Sequence, residues 1–301
     1  MFSLSTSWNY GQHRDNGAAM IKEIKEAGFN TVELNFALTA KMVNDIAAAK
    51  DGLGMEVSSL HNMCPLPDEI PISKASPDFY SLAAKDENQR SLAVAVARNT
   101  ILYARKLSAK AVILHAGRVE IKDRTRELAS VFNDKDKAGL IISDMIKDRR
   151  LNRAGHLDSI VKSLKELVPY AKEAGVCLGI ENRYYYREIP VEDEFEMLFN
   201  EFAAGDIFYW HDAGHAEVFD RLGLSNHKDM LDKFSGRLLG MHLHDIIGLI
   251  DDHRSPGFGT FGFELLRPYI KADTIKVLEV HEPASADEIV RGAKYITKVL
   301  G

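Results

Sequence analysis

The strongest constraint on the fold is a regular alternation of strand-like and helical segments along the whole chain. Short apolar runs typical of buried strands occur at residues 2–7, 31–35, 56–61, 111–115, 177–181, 207–212, 238–242 and 275–281. Helical spacing of apolar residues occurs at 18–27, 38–53, 88–107 and 157–174, and more weakly at 191–204, 228–234, 263–271 and 286–300. This alternation indicates parallel βαβ units.

Eight such units in 301 residues match the size of a closed (β/α)8 barrel, the TIM barrel. A doubly wound open sheet is the alternative, but it usually has a glycine-rich turn after its first strand. No such turn follows residues 2–7. No Pro- or Ser-rich linker divides the chain, so we predict one barrel domain over residues 1–301.

Two connections are unusually long. Residues 62–86 contain four prolines, and residues 117–156 are rich in charged side chains. In a barrel both segments lie at the C-terminal face, where active sites are built. The sequence leaves open whether they are surface insertions or a lid.

Polar side chains end six consecutive predicted strands, from the third to the eighth. These side chains are His61, His115, Glu181, Asp212, His242 and Glu279, with His211, His215, His244 and His281 beside them. Because parallel strands end at one face of a barrel, we expect these groups to converge there. Carboxylates that face one another need a cation or protons to offset their charge. Imidazole and carboxylate ligands suit Mn²⁺, Zn²⁺, Co²⁺ or Fe²⁺, and the rim has no cysteine for a thiolate site.

Side-chain alternation along a strand decides only some of these positions. His211 and Asp212 are adjacent and point to opposite sides, and Asp212 is favoured because His215 follows three residues later. His242 and His244 share a face, so alternation does not distinguish them. The same argument leaves His281 open as a rim residue or a ligand.

Residues outside these strand ends receive separate interpretations. Asp251 and His253 are two apart and would lie on one side of an extended segment. Glu33 is interpreted as a hydrogen-bonding residue within the barrel, and Trp8 as a wall of the site or a cap of the first strand. Three further histidines are expected at the surface, namely His13, His156 and His227.

The order of these strand ends resembles the xylose-isomerase-like barrel superfamily, or AP endonuclease family 2, which includes sugar isomerases, sugar epimerases and endonuclease IV. The resemblance covers nearly the whole chain. It rests on the motifs SLH ending at His61, LHAG at His115, GIEN at Glu181, DAGH at 212–215, HLHD at 242–245, DDHRSPGFG at 251–259 and LEV at Glu279.

The epimerase branch implies one divalent ion held by Glu181, Asp212, His242 and Glu279, which selects His242 over His244. Glu181 and Glu279 would then be the acid/base pair, and His215 would bind a substrate oxygen. The endonuclease branch implies up to three zinc ions. These would use the same four residues with the further ligands His61, His115, His215, Asp251 and His253.

The first functional hypothesis is an isomerase or epimerase of a small sugar, sugar phosphate or polyol, using Mn²⁺ or Zn²⁺. It would remove a proton from the carbon next to a carbonyl, with His215, His61 and Trp8 binding substrate. The alternative is a zinc phosphodiesterase that acts on abasic DNA. A net charge of −6 and the balanced charges of residues 117–153 argue against nucleic acid. A third hypothesis is a barrel that binds a metal ion without catalysing a reaction.

We expect a cytoplasmic protein with a sugar-like substrate and no membrane partner, and a homo-oligomer remains open. The two cysteines, Cys64 and Cys177, fit a reducing compartment. The N-terminus has no signal-peptide pattern. No stretch approaches the roughly 20 apolar residues that span a bilayer.

Overall fold

Eight parallel strands close into a barrel in the computed structural model, which describes residues 2–301. Numbering strands along the chain, the barrel order is β1-β10-β7-β6-β5-β4-β3-β2, with β2 pairing back to β1. The barrel strands are β1 Ser3–Ser5, β2 Thr31–Leu34, β3 Glu56–His61, β4 Ala111–Leu114, β5 Cys177–Glu181, β6 Phe208–Asp212, β7 Leu238–Leu243 and β10 Ile275–Leu278. The predicted (β/α)8 fold is confirmed.

Helices surround the barrel and connect its strands. They are α1 Gly17–Glu26, α2 Ala40–Leu53, α3 Glu87–Lys106, α4 Thr125–Val131, α5 Lys135–Asn152, α6 Ala154–Ala174, α7 Glu192–Glu201, α8 Ala213–Arg221, α9 His227–Phe234 and α10 Ala286–Leu300. Short 3-10 segments occur at Ile72–Lys74, Ser235–Arg237 and Phe263–Tyr269. Within residues 2–301, no helix is both long and apolar enough to span a membrane.

The predicted α-helix at residues 263–271 is wrong in type, because the segment is a 3-10 helix. Pro268 lies inside it. Proline lacks a backbone N–H and its ring clashes with the carbonyl four residues earlier, which disfavours an α-helical turn.

Trp210 fills the centre of the barrel and fixes how closely the neighbouring strands approach it. It is fully buried and packs with Ala111, Ile113, Ile275 and Val277. A Cβ atom added to Gly240 would lie 2.4 Å from Cζ3 of this indole. The centre of the barrel is therefore a packed core rather than a pore.

The two long connections differ in structure. Residues 62–86 are irregular apart from the 3-10 segment, whereas residues 117–156 contain α4 and α5, to which the sequence pattern assigned no helix. Helix α5 buries Ala138, Ile141, Met145 and Arg149. Its many charged residues obscure this narrow buried stripe in the sequence.

Two histidines predicted to be solvent-exposed are buried instead. His156 is 1% exposed, and its Nδ1 lies 2.8 Å from the carbonyl oxygen of Ala83. His227 is 2% exposed and contacts Glu217 and His211. The two corrections have the same cause. Each histidine lies in the first turn of a helix, and a residue there is buried when its face of the helix packs on the barrel. His13 is partly exposed and pairs with Glu23.

A small antiparallel hairpin lies between β7 and β10 and was not predicted. Its strands are β8 Asp245–Ile247 and β9 Asp251–Arg254. The hairpin follows the C-terminal end of β7, so it covers the face of the barrel where the polar strand ends converge.

Candidate metal and catalytic site

Four of the predicted side chains meet at the C-terminal face of the barrel. Glu181 ends β5, Asp212 ends β6, His242 lies in β7 and Glu279 follows β10. One potential ligand atom from each lies within 4.8 Å of the others. His242 Nδ1 is 2.6 Å from Glu181 Oε1, 3.0 Å from Glu279 Oε2 and 3.6 Å from Asp212 Oδ2. The structure thus brings together the four residues predicted to hold a divalent ion.

Burial alone would neutralise these carboxylates, but neighbouring imidazoles keep them ionised. Burial acts to raise the pKa of Glu181, and contacts with His115 and His242 outweigh it, so the pKa lies well below its ordinary value. The pKa of Asp212 is likewise well below its ordinary value, because His215 and His244 outweigh its burial. Ionised oxygens around one imidazole nitrogen fit a divalent cation of the Mn²⁺ or Zn²⁺ type.

Glu33 sets the orientation of His242. Glu33 Oε1 lies 2.9 Å from His242 Nε2, and Glu33 Oε2 accepts a hydrogen bond of 2.6 Å from the hydroxyl of Ser59. His242 therefore directs Nδ1 toward the other three ligands. A carboxylate behind a metal-binding histidine is the usual device that fixes the ring. The interpretation of Glu33 as a hydrogen-bonding residue inside the barrel is confirmed.

We expect Glu33→Gln to weaken Mn²⁺ binding by about 10- to 100-fold, as losses of such supporting partners do. The neutral amide cannot hold the imidazole of His242 by a charge-assisted hydrogen bond. Isothermal titration calorimetry with Mn²⁺ measures the effect. Glu26→Gln, on the exposed face of α1, is the control and should bind Mn²⁺ like the wild type. Equal affinities for both variants would contradict the role of Glu33.

His244 supports Asp212 rather than joining His242. The backbone N–H of His253 donates to His244 Nδ1 at 2.9 Å, so the ring proton lies on Nε2. That nitrogen donates to Asp212 Oδ1 and Oδ2 at 2.9 and 3.0 Å. A Cβ atom at Gly214 would lie 2.0 Å from His244 Cε1, so the glycine of the DAGH motif makes room for this ring.

A second group that could hold an ion contains His61, His115 and Glu181. His115 Nε2 lies 2.8 Å from Glu181 Oε2, and His61 Nδ1 is buried with no hydrogen-bond partner in the described part of the chain. Two residues that sequence reasoning missed also reach this group. Arg183 contacts both His115 and Glu181, and Asp78 lies 3.2 Å from His115 Nδ1.

A third group consists of Asp212, His215, His244 and His253. His215 Nδ1 lies 3.1 Å from the carbonyl oxygen of Asn182, which can only accept a hydrogen bond. His215 is therefore protonated on Nδ1 and keeps Nε2 as an acceptor. Burial also lowers the pKa of His215, which favours this neutral form.

The structure does not bring Asp251 to this group, which corrects one predicted ligand. Its carboxylate is about half exposed and pairs with Arg254 at 2.6 Å. Asp252 is the residue beside the site, with Oδ2 3.0 Å from His253 Nδ1 and 3.8 Å from His215 Nε2. The prediction assumed an extended backbone, in which side chains two residues apart point to the same side. His253 instead adopts a φ of 58°, so Asp251 and His253 do not share a side.

His281 lies at the rim and forms a further group with His253 and Glu279. Its ring stacks on His253 with centroids 3.8 Å apart, and His253 stacks in turn on His244 at 4.1 Å. The structure thus places His281 beside the site, within reach of a ligand or a substrate.

A cavity of about 220 Å³ opens above these groups. Its walls include His61, His115, His215, His253, Glu181 and Glu279, with the aromatic side chains of Phe36, Tyr184 and Tyr185. Trp8 is not among its lining residues, contrary to prediction. The indole is 1% exposed, and its Nε1 donates to the carbonyl oxygen of Ala284 at 2.8 Å, so Trp8 packs in the core.

The chain belongs to the family of xylose isomerase-like TIM barrels, whose family model matches residues 21–299. Among particular proteins, it is 22% identical over 288 residues to an uncharacterized protein of Sinorhizobium fredii, covering 90% of this chain and 84% of that protein.

Two solved structures share the fold over almost the full length. A D-tagatose 3-epimerase-like protein superposes with a TM-score of 0.69 at 17% identity, covering 99% of this chain and 96% of that one. The IOLI protein, solved with a zinc atom, gives a TM-score of 0.65 at 14% identity, covering 99% and 98%. At identities this low, the structural likeness establishes the common barrel fold and nothing more specific.

Proposed function

We propose that this protein is a divalent-metal-dependent isomerase or epimerase of a small sugar, sugar phosphate or polyol. The observation that carries the proposal is the placement of Glu181 and Glu279. Both line one small cavity, both face His242 Nδ1, and they come from strands separated by β6 and β7 in the barrel. The structural likeness to a D-tagatose 3-epimerase-like protein supports the same proposed function.

The two glutamates are suited to proton transfer on a carbon held between them. One carboxylate removes the proton from the carbon next to a carbonyl, and the other glutamate, once it has taken up a proton from solvent, delivers that proton to the opposite face. The first glutamate then releases its proton to solvent, so both carboxylates return to the ionised form. Glu181, Asp212, His242 and Glu279 would hold a divalent ion, which would supply Lewis-acid polarisation of the carbonyl. Mn²⁺ and Zn²⁺ fit this oxygen-rich set best, with Co²⁺ and Fe²⁺ as further candidates.

Other residues of the cavity bind and shield the substrate. His215 offers Nε2 as an acceptor, which suits a sugar hydroxyl, because its Nδ1 is committed to the carbonyl of Asn182. Tyr184 and Tyr185 pack edge to face, and the Tyr184 hydroxyl donates to the carbonyl oxygen of Ile250 at 2.8 Å. This fixed aromatic wall covers an apolar sugar face and keeps water from the reacting carbon.

The proposal is tested by incubating Mn²⁺-loaded protein with a panel of ketoses, including phosphorylated ones, in deuterated water. Nuclear magnetic resonance should show solvent deuterium at the carbon next to the carbonyl of one or more sugars. Protein stripped of metal with a chelator is the control and should incorporate none. No incorporation from any sugar by metal-loaded protein would contradict the proposal.

Asp252 and Asp251 provide a matched pair within one hairpin. We expect Asp252→Asn to lower kcat/KM about tenfold, because His253 loses a hydrogen bond to a charged partner beside the cavity. Asp251→Asn should change kcat/KM by less than about twofold, because its pair with Arg254 is exposed and contributes little. Steady-state kinetics on the sugar found by deuterium exchange measures both. A larger loss for Asp251→Asn would reverse the assignment.

A zinc phosphodiesterase is the second candidate, favoured by the group of His61, His115 and Glu181 beside the four-residue set. Against it, the chain has a net charge of −6, which opposes binding to a phosphate backbone. Nicking of a duplex that contains an abasic site, without deuterium exchange into any sugar, would favour this candidate over the isomerase.

A further inference from the structure

The guanidinium of Arg183 lies among the side chains that could hold a second ion. Its Nη1 contacts His115 Nε2 and lies 2.6 Å from Glu181 Oε2. Those two atoms are themselves 2.8 Å apart. A cationic nitrogen thus bonds to two of the three residues in the group of His61, His115 and Glu181.

Two further carboxylates hold Arg183 in this place. Its Nη2 lies 3.4 Å from Asp78 Oδ2 and 3.3 Å from Glu188 Oε1. The side chain is 7% exposed, and both partners are also buried. Asp78 belongs to the long connection after β3, and Glu188 to the segment after β5. Segments outside the barrel therefore anchor the guanidinium from two sides.

His115 has no free lone pair for an ion while Arg183 remains there. A neutral imidazole has a single lone pair on its unprotonated nitrogen. When His115 is neutral and donates from Nδ1 to Asp78, the lone pair of Nε2 accepts from Arg183. When His115 is protonated, Nε2 has no lone pair at all. A metal ion requires that lone pair at about 2.0–2.1 Å.

Charge leads to the same conclusion. Without Arg183, the carboxylates of Asp78, Glu181 and Glu188 would lie close together in a buried region. The guanidinium already offsets the charge of these carboxylates. An added divalent ion would therefore be repelled by a fixed positive charge instead of being attracted by an uncompensated negative one.

We propose that Arg183 is a built-in cation that takes the place of a metal ion at His61, His115 and Glu181. This inference rests on the proposed function, because it concerns which ligands of the metal-dependent site remain available. Arg183 restricts Glu181 to the ion shared with Asp212, His242 and Glu279. His61, whose Nδ1 has no hydrogen-bond partner among residues 2–301, is left to contact substrate in the cavity.

The direct test counts bound ions in purified protein loaded with Mn²⁺ or with Zn²⁺, desalted and analysed by inductively coupled plasma mass spectrometry. Arg183→Leu should bind one more ion per chain than the wild type. The double variant Arg183→Leu/His61→Ala should lose that additional ion. Arg126→Leu is the matched control, since Arg126 also lines the cavity but has no contact with His115 or Glu181, and its count should equal that of the wild type.

If Arg183→Leu does not fold, the single variant His61→Ala tests the inference in its place. Its ion count should equal that of the wild type, because His61 binds no ion while Arg183 is present. Loss of one ion on His61→Ala, or an unchanged count in folded Arg183→Leu, would overturn the inference alone. Wild-type protein that binds no ion under either loading would overturn the proposed function as well.

Discussion

Glu181→Gln and Glu279→Gln are each expected to reduce turnover by about a thousandfold or more. General acid–base catalysis contributes about 10²–10⁴-fold, and each substitution also removes one charged oxygen from the ion site. The amide cannot take up a proton from the reacting carbon. Deuterium exchange into the ketose, followed at saturating Mn²⁺, measures the rate, and metal analysis of the same samples separates lost chemistry from lost ion.

Glu56→Gln is the matched control for these two variants. Glu56 is an exposed glutamate at the first position of β3, so it lies at the opposite end of a barrel strand from the site. Its exchange rate should equal that of the wild type. Full activity of either Glu181→Gln or Glu279→Gln would remove that glutamate from the acid/base pair, even if the other variant were inactive.

Arg149→Met is expected to lower the free energy of unfolding by about 3–5 kcal/mol. The guanidinium is buried, donates from Nε to Glu194 Oε1 at 2.8 Å and from Nη2 to the carbonyl oxygen of Glu188 at 2.9 Å. Without it, the carboxylate of Glu194, which is 1% exposed, keeps only the longer contact of 3.5 Å from Oε1 to Arg153 Nη1. Breaking one side of a buried ion pair is costly because the remaining charge is not compensated.

Urea unfolding followed by circular dichroism measures this loss. Arg150→Met is the control, because Arg150 is the next residue of α5 and is exposed to solvent. Its unfolding free energy should stay within about 0.5 kcal/mol of the wild type, as is usual for surface substitutions. Equal values for the two variants would show that Arg149 does not anchor α5 to the segment after β5.

Much of the barrel could be predicted from the sequence because buried parallel strands are short, apolar and regularly spaced. The convergence of Glu181, Asp212, Glu279 and a histidine of β7 was predicted for a related reason, since the ends of parallel strands meet at one face. The choice of His242 over His244 came from the family resemblance. Helix α5 was missed because its buried residues are few among many charges. The segment at 263–271 was assigned the wrong type because its apolar spacing outweighed Pro268 in the prediction.

The parts of the site outside the strand ends were less predictable. Asp78 comes from an irregular connection in which no periodicity shows which side chain points inward. Arg183 could not be predicted as part of the site, because a guanidinium is a cation without an acceptor and does not bind metal ions. The choice between Asp251 and Asp252 depends on the backbone of His253, whose left-handed conformation cannot be read from residue spacing.

The hairpin of β8 and β9 does more than cover the cavity, because it also contacts the ring of His244. The backbone N–H of His253 determines which nitrogen of His244 carries the proton, and that proton points at Asp212. If the hairpin moved away, the proton of His244 could exchange between its two nitrogens, and Asp212 would lose a fixed donor. The position of the hairpin and the hydrogen bonding of Asp212 are thus linked through one imidazole tautomer.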